Sequence, residues 1–194
     1  METSNNSFQK KKRGKKPSIR KRAYQQLRGF SPIIAFLACL GSFQTSFGQT
    51  GNVFGPGSGG QIIQRGSYNS FFGYRAGLQT VDADGNTFIG YYAGASEPGG
   101  NNFGGSWNTF TGYQAGHNIQ AGNSNSFLGA NAGFSNFWGS NNTIVGSEAG
   151  FQNESGNANV FIGYQAGYNE TGSNKLYIDN SNTSSPLIYG DFAS

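Results

Sequence analysis

The stretch "NTFIGYYAG", which opens at Asn86, returns along the chain, and its period limits the fold more than any other feature. Variants open at Asn69 (NSFFGYRAG), Asn108 (NTFTGYQAG), Asn125 (NSFLGANAG), Asn142 (NTIVGSEAG) and Asn159 (NVFIGYQAG), so successive starts lie 17, 22, 17, 17 and 17 residues apart. A degenerate version, NKLYIDN, opens at Asn174. A unit this short has no room for two packed helices, whereas one coil of a β-solenoid per repeat fits it. The expected fold is therefore all-β, a parallel β-roll or solenoid of about seven short coils.

Each column of the repeat has a physical assignment. The third column is Phe71, Phe88, Phe110, Phe127, Ile144 and Phe161, large and apolar throughout, and is the predicted core. The fourth is Phe72, Ile89, Leu128, Val145 and Ile162, with Thr111 as the exception. Neighbouring strand residues point to opposite faces, so two adjacent apolar columns predict a strand buried on both. A seventeen-residue coil has only one interior, and the second face then needs cover from outside the chain. Other copies of the same chain around a symmetry axis would supply it.

The glycines at 73, 90, 112, 129, 146 and 163, and at 77, 94, 116, 133, 150 and 167, mark turns or tight backbone approach. The unbroken column Ala76, Ala93, Ala115, Ala132, Ala149 and Ala166 predicts close packing between chains or strands. The opening asparagines, one coil apart at about 4.8 Å, predict an amide ladder.

Charge divides the chain. Ten of the 13 Lys and Arg precede residue 30, while eight of the nine acids follow residue 48 and meet only Arg65, Arg75 and Lys175, a net of −5 for that part. A basic leader ahead of the apolar run Ile33 to Phe43, then Ser46 and Gly48, reads as a helical secretory signal peptide. The run is short of the roughly 20 residues of a membrane span, so cleavage after Gly48 is expected, with a retained signal anchor as the competing reading. The mature chain is expected to have no membrane span and to be secreted or held at a bacterial cell surface. Cys39 lies inside the leader without a lipoprotein-type context, which leaves the mature chain without cysteine. The run KKKRGKK belongs to the leader, so no nucleic-acid partner is expected. The predicted organisation is 1–48 signal peptide, 49–66 lead-in, 67–174 repeats, and 175–194 terminal coil and cap.

Chemistry-bearing motifs are sparse. His117 is the sole histidine and is expected to be a solvated connector residue, so no catalytic group is assigned. Asp82 and Asp84 in DADG resemble the start of a calcium loop but lack its glutamate. The glycines lack the Gly-Lys-Ser/Thr close of a phosphate loop. No cofactor and no metal are assigned. The second column, Ser70, Thr87, Thr109, Ser126, Thr143 and Val160, lacks the paired threonines an ice-binding array would want.

Binding candidates lie where the repeat varies. The connectors run 8, 13, 8, 8 and 8 residues, and the long one, Ala95 to Trp107, carries Phe103 and Trp107. Aromatics on loops over a rigid scaffold suit recognition; the opposing reading is a bulge with Trp107 tucked under a neighbouring coil. Tyr74, Tyr91, Tyr113 and Tyr164 form a second column that could stack on sugar rings or a fibrous protein, or simply cover the edge of the roll.

The Asn-Ser/Thr-apolar-apolar-Gly phrase resembles the head repeats of trimeric autotransporter adhesins of the YadA-like kind, and more closely the NTFIGYQAG repeats of fibre proteins of Bacteroidetes and their phages. The resemblance covers roughly Tyr68 to Phe192, and the tail NKLYIDNSNTSSPLIYGDF is similar to the segment that ends such arrays. It implies a left-handed roll, a homotrimer, and an adhesin-like or fibre head that binds a host or neighbouring-cell surface protein or glycan. The alternative it implies is a purely structural trimeric element. Stalk or barrel segments usual in those relatives are not seen before Ser194, so a secreted head, a module fixed by another component and a shortened gene are all compatible.

Overall fold

The computed structural model of the protein describes residues 51–55, 57–58, 66–96 and 105–193, all within the compact unit Gly41–Ser194. The leader read as a signal peptide, Cys39 within it, and Phe103 of the long connector lie outside the described residues.

Nine short strands form one sheet in chain order: β1 (Val53–Phe54), β2 (Ser70–Phe72), β3 (Thr87–Ile89), β4 (Thr109–Thr111), β5 (Ser126–Leu128), β6 (Thr143–Val145), β7 (Val160–Ile162), β8 (Lys175–Ile178) and β9 (Ile188–Asp191). No helix occurs among the described residues. Strands β1 to β8 pair in parallel, and β9 returns antiparallel on β8. The chain is a parallel β-solenoid of about six full turns, with a partial coil at the start and a hairpin at the end. Each coil has a single strand of about three residues, and turns complete the circuit. The segment expected to be a lead-in carries β1, whose Phe54 pairs in register with Phe71, 17 residues on.

The register follows the repeat. Phe71, Phe88, Phe110, Phe127, Ile144, Phe161 and Tyr177 are successive partners, and the longer connector before β4 leaves Phe88 opposite Phe110. The six predicted core side chains are all 0–1% exposed. Where phenylalanines follow one another, the strand spacing of about 4.8 Å sets their rings face to face: centroids lie 4.8, 4.9 and 4.6 Å apart from Phe71 to Phe127, with planes within 10°.

Two glycine columns make this interior possible. A Cβ on Gly133 would lie 2.4 Å from the Phe127 ring of its own coil, and one on Gly129, at φ +140°, 2.4 Å from the Gly146 carbonyl oxygen of the next. The first glycine gives the ring its place and the second lets coils approach. The alanine column is 0% exposed within one chain, so it packs between stacked coils of that chain and not between chains.

The opening asparagines are 0–1% exposed, and their ladder runs from side chain to backbone. Asn125 Oδ1 accepts the Asn142 backbone N–H at 2.9 Å, and its Nδ2 donates to the Gly139 carbonyl at 2.8 Å. Asn86, Asn108, Asn142 and Asn159 repeat the pattern. A second ladder, unforeseen, uses short oxygen-bearing side chains two residues earlier. Asp84, Asn123 and Asn157 alternate with Ser106, Ser140 and Ser173, each accepting a backbone N–H from the preceding coil. These bonds satisfy backbone donors at the turns that the three-residue strands leave unpaired.

Candidate binding surface

With the third column turned inward, the second and fourth columns share the outer face of the sheet. Within one chain the fourth column is open: Phe72, Ile89, Leu128 and Ile162 are 37–53% exposed. The expectation of a strand buried on both faces therefore holds for the inner face within the chain, while the outer face is an uncovered apolar row. Beside it are the hydroxyls of Ser70, Thr87, Thr109, Ser126 and Thr143.

Past the glycine that ends each strand, Tyr74, Tyr91 and Tyr113 come together as a stack. Centroids are 5.4 Å apart at both steps, with planes at 21° and 6°. All three are about half exposed, yet both faces of Tyr91 are occupied by its neighbours. At Tyr91 the ledge therefore offers a ring edge and a hydroxyl, not an open face for stacking on sugars, and among the described residues each end ring of the stack has only one stacked neighbour. Tyr164 stands apart, separated by Ala130 and Ser147, and among the described residues no ring stacks on it.

The next column, in the left-handed backbone region at Arg75, Tyr92, Gln114, Asn131, Glu148 and Gln165, borders the ledge. The Arg75 guanidinium lies 5.3 Å from both the Tyr74 and Tyr92 ring centres and donates to the Tyr92 hydroxyl. That bond first, and then the two rings, raise its pKa above the usual arginine value. Further along, Gln165 Nε2 donates to Glu148 Oε2 at 2.7 Å.

Trp107 is on the other side of β4 from Tyr113, two residues ahead of the strand. It has φ +64° and is 64% exposed, with its ring over Gly85 of the preceding coil, where a Cβ would come within 2.3 Å. Tyr68 covers Gly51 in the same manner. Trp107 thus covers a neighbouring coil without being tucked under it, and most of its surface stays exposed. Trp138, 55% exposed and 5.5 Å from Phe137, is another exposed aromatic, with nothing in the repeat columns to single it out.

His117 is not a solvated connector residue: it is 2% exposed. It opens a second aromatic column, stacked on Phe134 at 5.0 Å, with Phe151 and Tyr168 following at 4.9 and 5.0 Å and all planes within 5°. The spacing of 17 between these residues was visible in the sequence, but a histidine at the head of three rings conceals the column. Among the described residues no cluster of three His, Cys, Asp or Glu side chains could hold a metal ion.

Comparison of the chain with protein-family models, with curated proteins and with solved structures finds no match.

Proposed function

We propose that the chain is an exported, non-enzymatic head module of an adhesin-like or fibre assembly, which works as a homotrimer and binds a surface protein or glycan. The observation that carries the reading is the division of its outside. An apolar row, interrupted by Thr111, runs along the outer face from β2 to β7, with aromatic side chains displayed along its margins.

The row supports self-association. Eight parallel strands at about 4.8 Å span roughly 35 Å, and the three residues of each strand at about 3.3 Å make a face of roughly 350 Å², short of the tyrosine ledge. Stable interfaces bury about 800 Å² per partner, so this face would form the centre of an interface that also takes in flanking residues, and exposed apolar patches of a few hundred Å² often mark interaction sites. Neighbouring copies on this row leave Tyr74, Tyr91, Tyr113 and Trp107 for a ligand. The tyrosines meet it through hydroxyls and edges, at one coil's spacing, held by ladders that cost no reordering on binding.

The same row favours a second reading, a structural trimeric element without a ligand. The two separate by attachment of the wild type and of a Tyr74→Ser, Tyr91→Ser, Tyr113→Ser variant to surfaces coated with matrix proteins or glycans. The binding reading expects at least a tenfold loss at unchanged solution mass; no attachment of either protein above an uncoated surface favours the structural element.

A further inference from the structure

At the end of the solenoid the ring column stops. Phe151 covers one face of Tyr168, and the position 17 residues further on falls in the loop between β8 and β9, where the chain brings Asn182, Thr183 and Ser184 instead of another ring. The result is a cleft of 190 Å³ bounded by Tyr168, Asn169, Glu170, Tyr177, Asn182 and Thr183 among others. That is below the roughly 300–1,000 Å³ typical of drug-sized ligands and holds about six waters at 30 Å³ each. The room suits one small ring and no long substrate.

Its chemistry is mixed in a specific way. Tyr168 supplies aromatic surface at one wall. Glu170, the charged side chain among the lining residues, is held in place: Oε1 accepts the Gly172 N–H at 2.7 Å and Oε2 accepts the Tyr177 hydroxyl at 2.8 Å. Each carboxylate oxygen keeps a further lone pair. Asn169, Asn182, Thr183 and Ser184, all neutral and polar, complete the lining. An aromatic wall facing a fixed acceptor and several neutral polar groups matches a ligand with one apolar C–H face and a belt of hydroxyls. The carboxylate disfavours anionic ligands.

We infer that the cleft between Tyr168, Glu170 and the β8–β9 loop is a binding site for one neutral pyranose residue, the sugar ring lying on Tyr168 and its hydroxyls donating to Glu170. The site deepens the proposed function, since it rests on the chain being a surface-binding module, and names neutral glycans as ligand.

The test is saturation-transfer NMR on the full chain with the methyl glycosides of glucose, galactose and mannose and with N-acetylglucosamine, using glucuronate as the acidic control. A single residue in so small a site is expected to bind with Kd on the order of 1–10 mM, and glucuronate not to bind. Tyr168→Ala should weaken the bound sugar at least tenfold, Tyr168→Phe should retain it, and Glu170→Gln should weaken it severalfold. The Phe variant guards against a cap that fails to fold, because it keeps the stack. No neutral sugar bound at about 50 mM, or binding unchanged in folded Tyr168→Ala, overturns the inference. Attachment of the same preparation to protein-coated surfaces separates the two claims. Attachment without sugar binding refutes the cleft and leaves the head module, whereas neither activity refutes both.

Discussion

Asn125→Ala is the sharpest test of what holds the coils together. The side chain is 0% exposed and is joined to two backbone groups of the next coil, the Asn142 N–H and the Gly139 carbonyl, both on buried residues. Truncation leaves a donor and an acceptor without partners, at about 1–3 kcal/mol each, so the expected loss is about 4 kcal/mol. That is a large share of the 5–15 kcal/mol of a typical domain. Denaturant unfolding measures it, and hydrogen exchange at the Asn142 amide should show the opening to be local. Asn125→Asp adds a pH signature. The carboxylate keeps the bond from Asn142 N–H but turns an oxygen toward the Gly139 carbonyl, where only the protonated acid can donate. Its folded pKa is then raised above the usual 3.9; the stability it contributes is present below that unfolded value and is lost as pH rises through the folded one. Stability of the Asp variant relative to wild type should therefore fall with rising pH. A loss below about 1 kcal/mol for Asn125→Ala, or a pH-independent difference for Asn125→Asp, would refute the ladder as the fastening.

Other expectations follow from named contacts. Gly129→Ala places a Cβ 2.4 Å from the Gly146 carbonyl oxygen at φ +140°, a backbone conformation costing about 1–3 kcal/mol to which the clash adds, and soluble yield should collapse where an exposed Ser155→Ala changes nothing. Leu128→Asp on the outer row should leave the circular dichroism of the monomer unchanged and reduce the light-scattering mass from three chains to one; a wild-type mass of one chain refutes the trimer. Burial first, and then the bond to Glu170, push Tyr177 up to about 12. A raised pKa means that its stabilising contribution is complete below the unfolded value near 10 and is lost as pH rises through 12. The cap should loosen in that window by phenolate absorbance and near-ultraviolet dichroism, and Tyr177→Phe should abolish the step.

Much of the coil was legible because a repeat reports each position six times. The phenylalanine column and the opening asparagines carry one physical demand each, and both lie where their columns predict. Three features hid for identifiable reasons. Asn52 opens a first partial coil, but its phrase NVFGPG diverges after the third residue, while the backbone pairing persists. The burial of His117 is hidden because its column changes from His to Phe to Tyr, and only the stacked geometry reveals one role. Exposure of the fourth column could not be read from hydropathy, since an apolar row looks the same whether its cover comes from the chain or from a partner.

The two ladders and the glycine contacts also explain where specificity has to reside. A substitution in the Asn column, or at the glycines that end the strands, is felt by the next coil, because the side chain, or the missing one, fits against that coil's backbone. On the outside, Tyr becomes Ala or Ser at 130 and 147 while the register of β5 and β6 is kept. Repetition leaves one further freedom, at the place where it ends. Within the column that begins at His117 each ring is covered by the next, but the last one, Tyr168, has no ring after it, and the cleft there is created by the fold and not by any local motif. A ligand in the terminal cleft stands where another coil's ring would stand, and a solenoid that stops on an aromatic column makes such a place at its end.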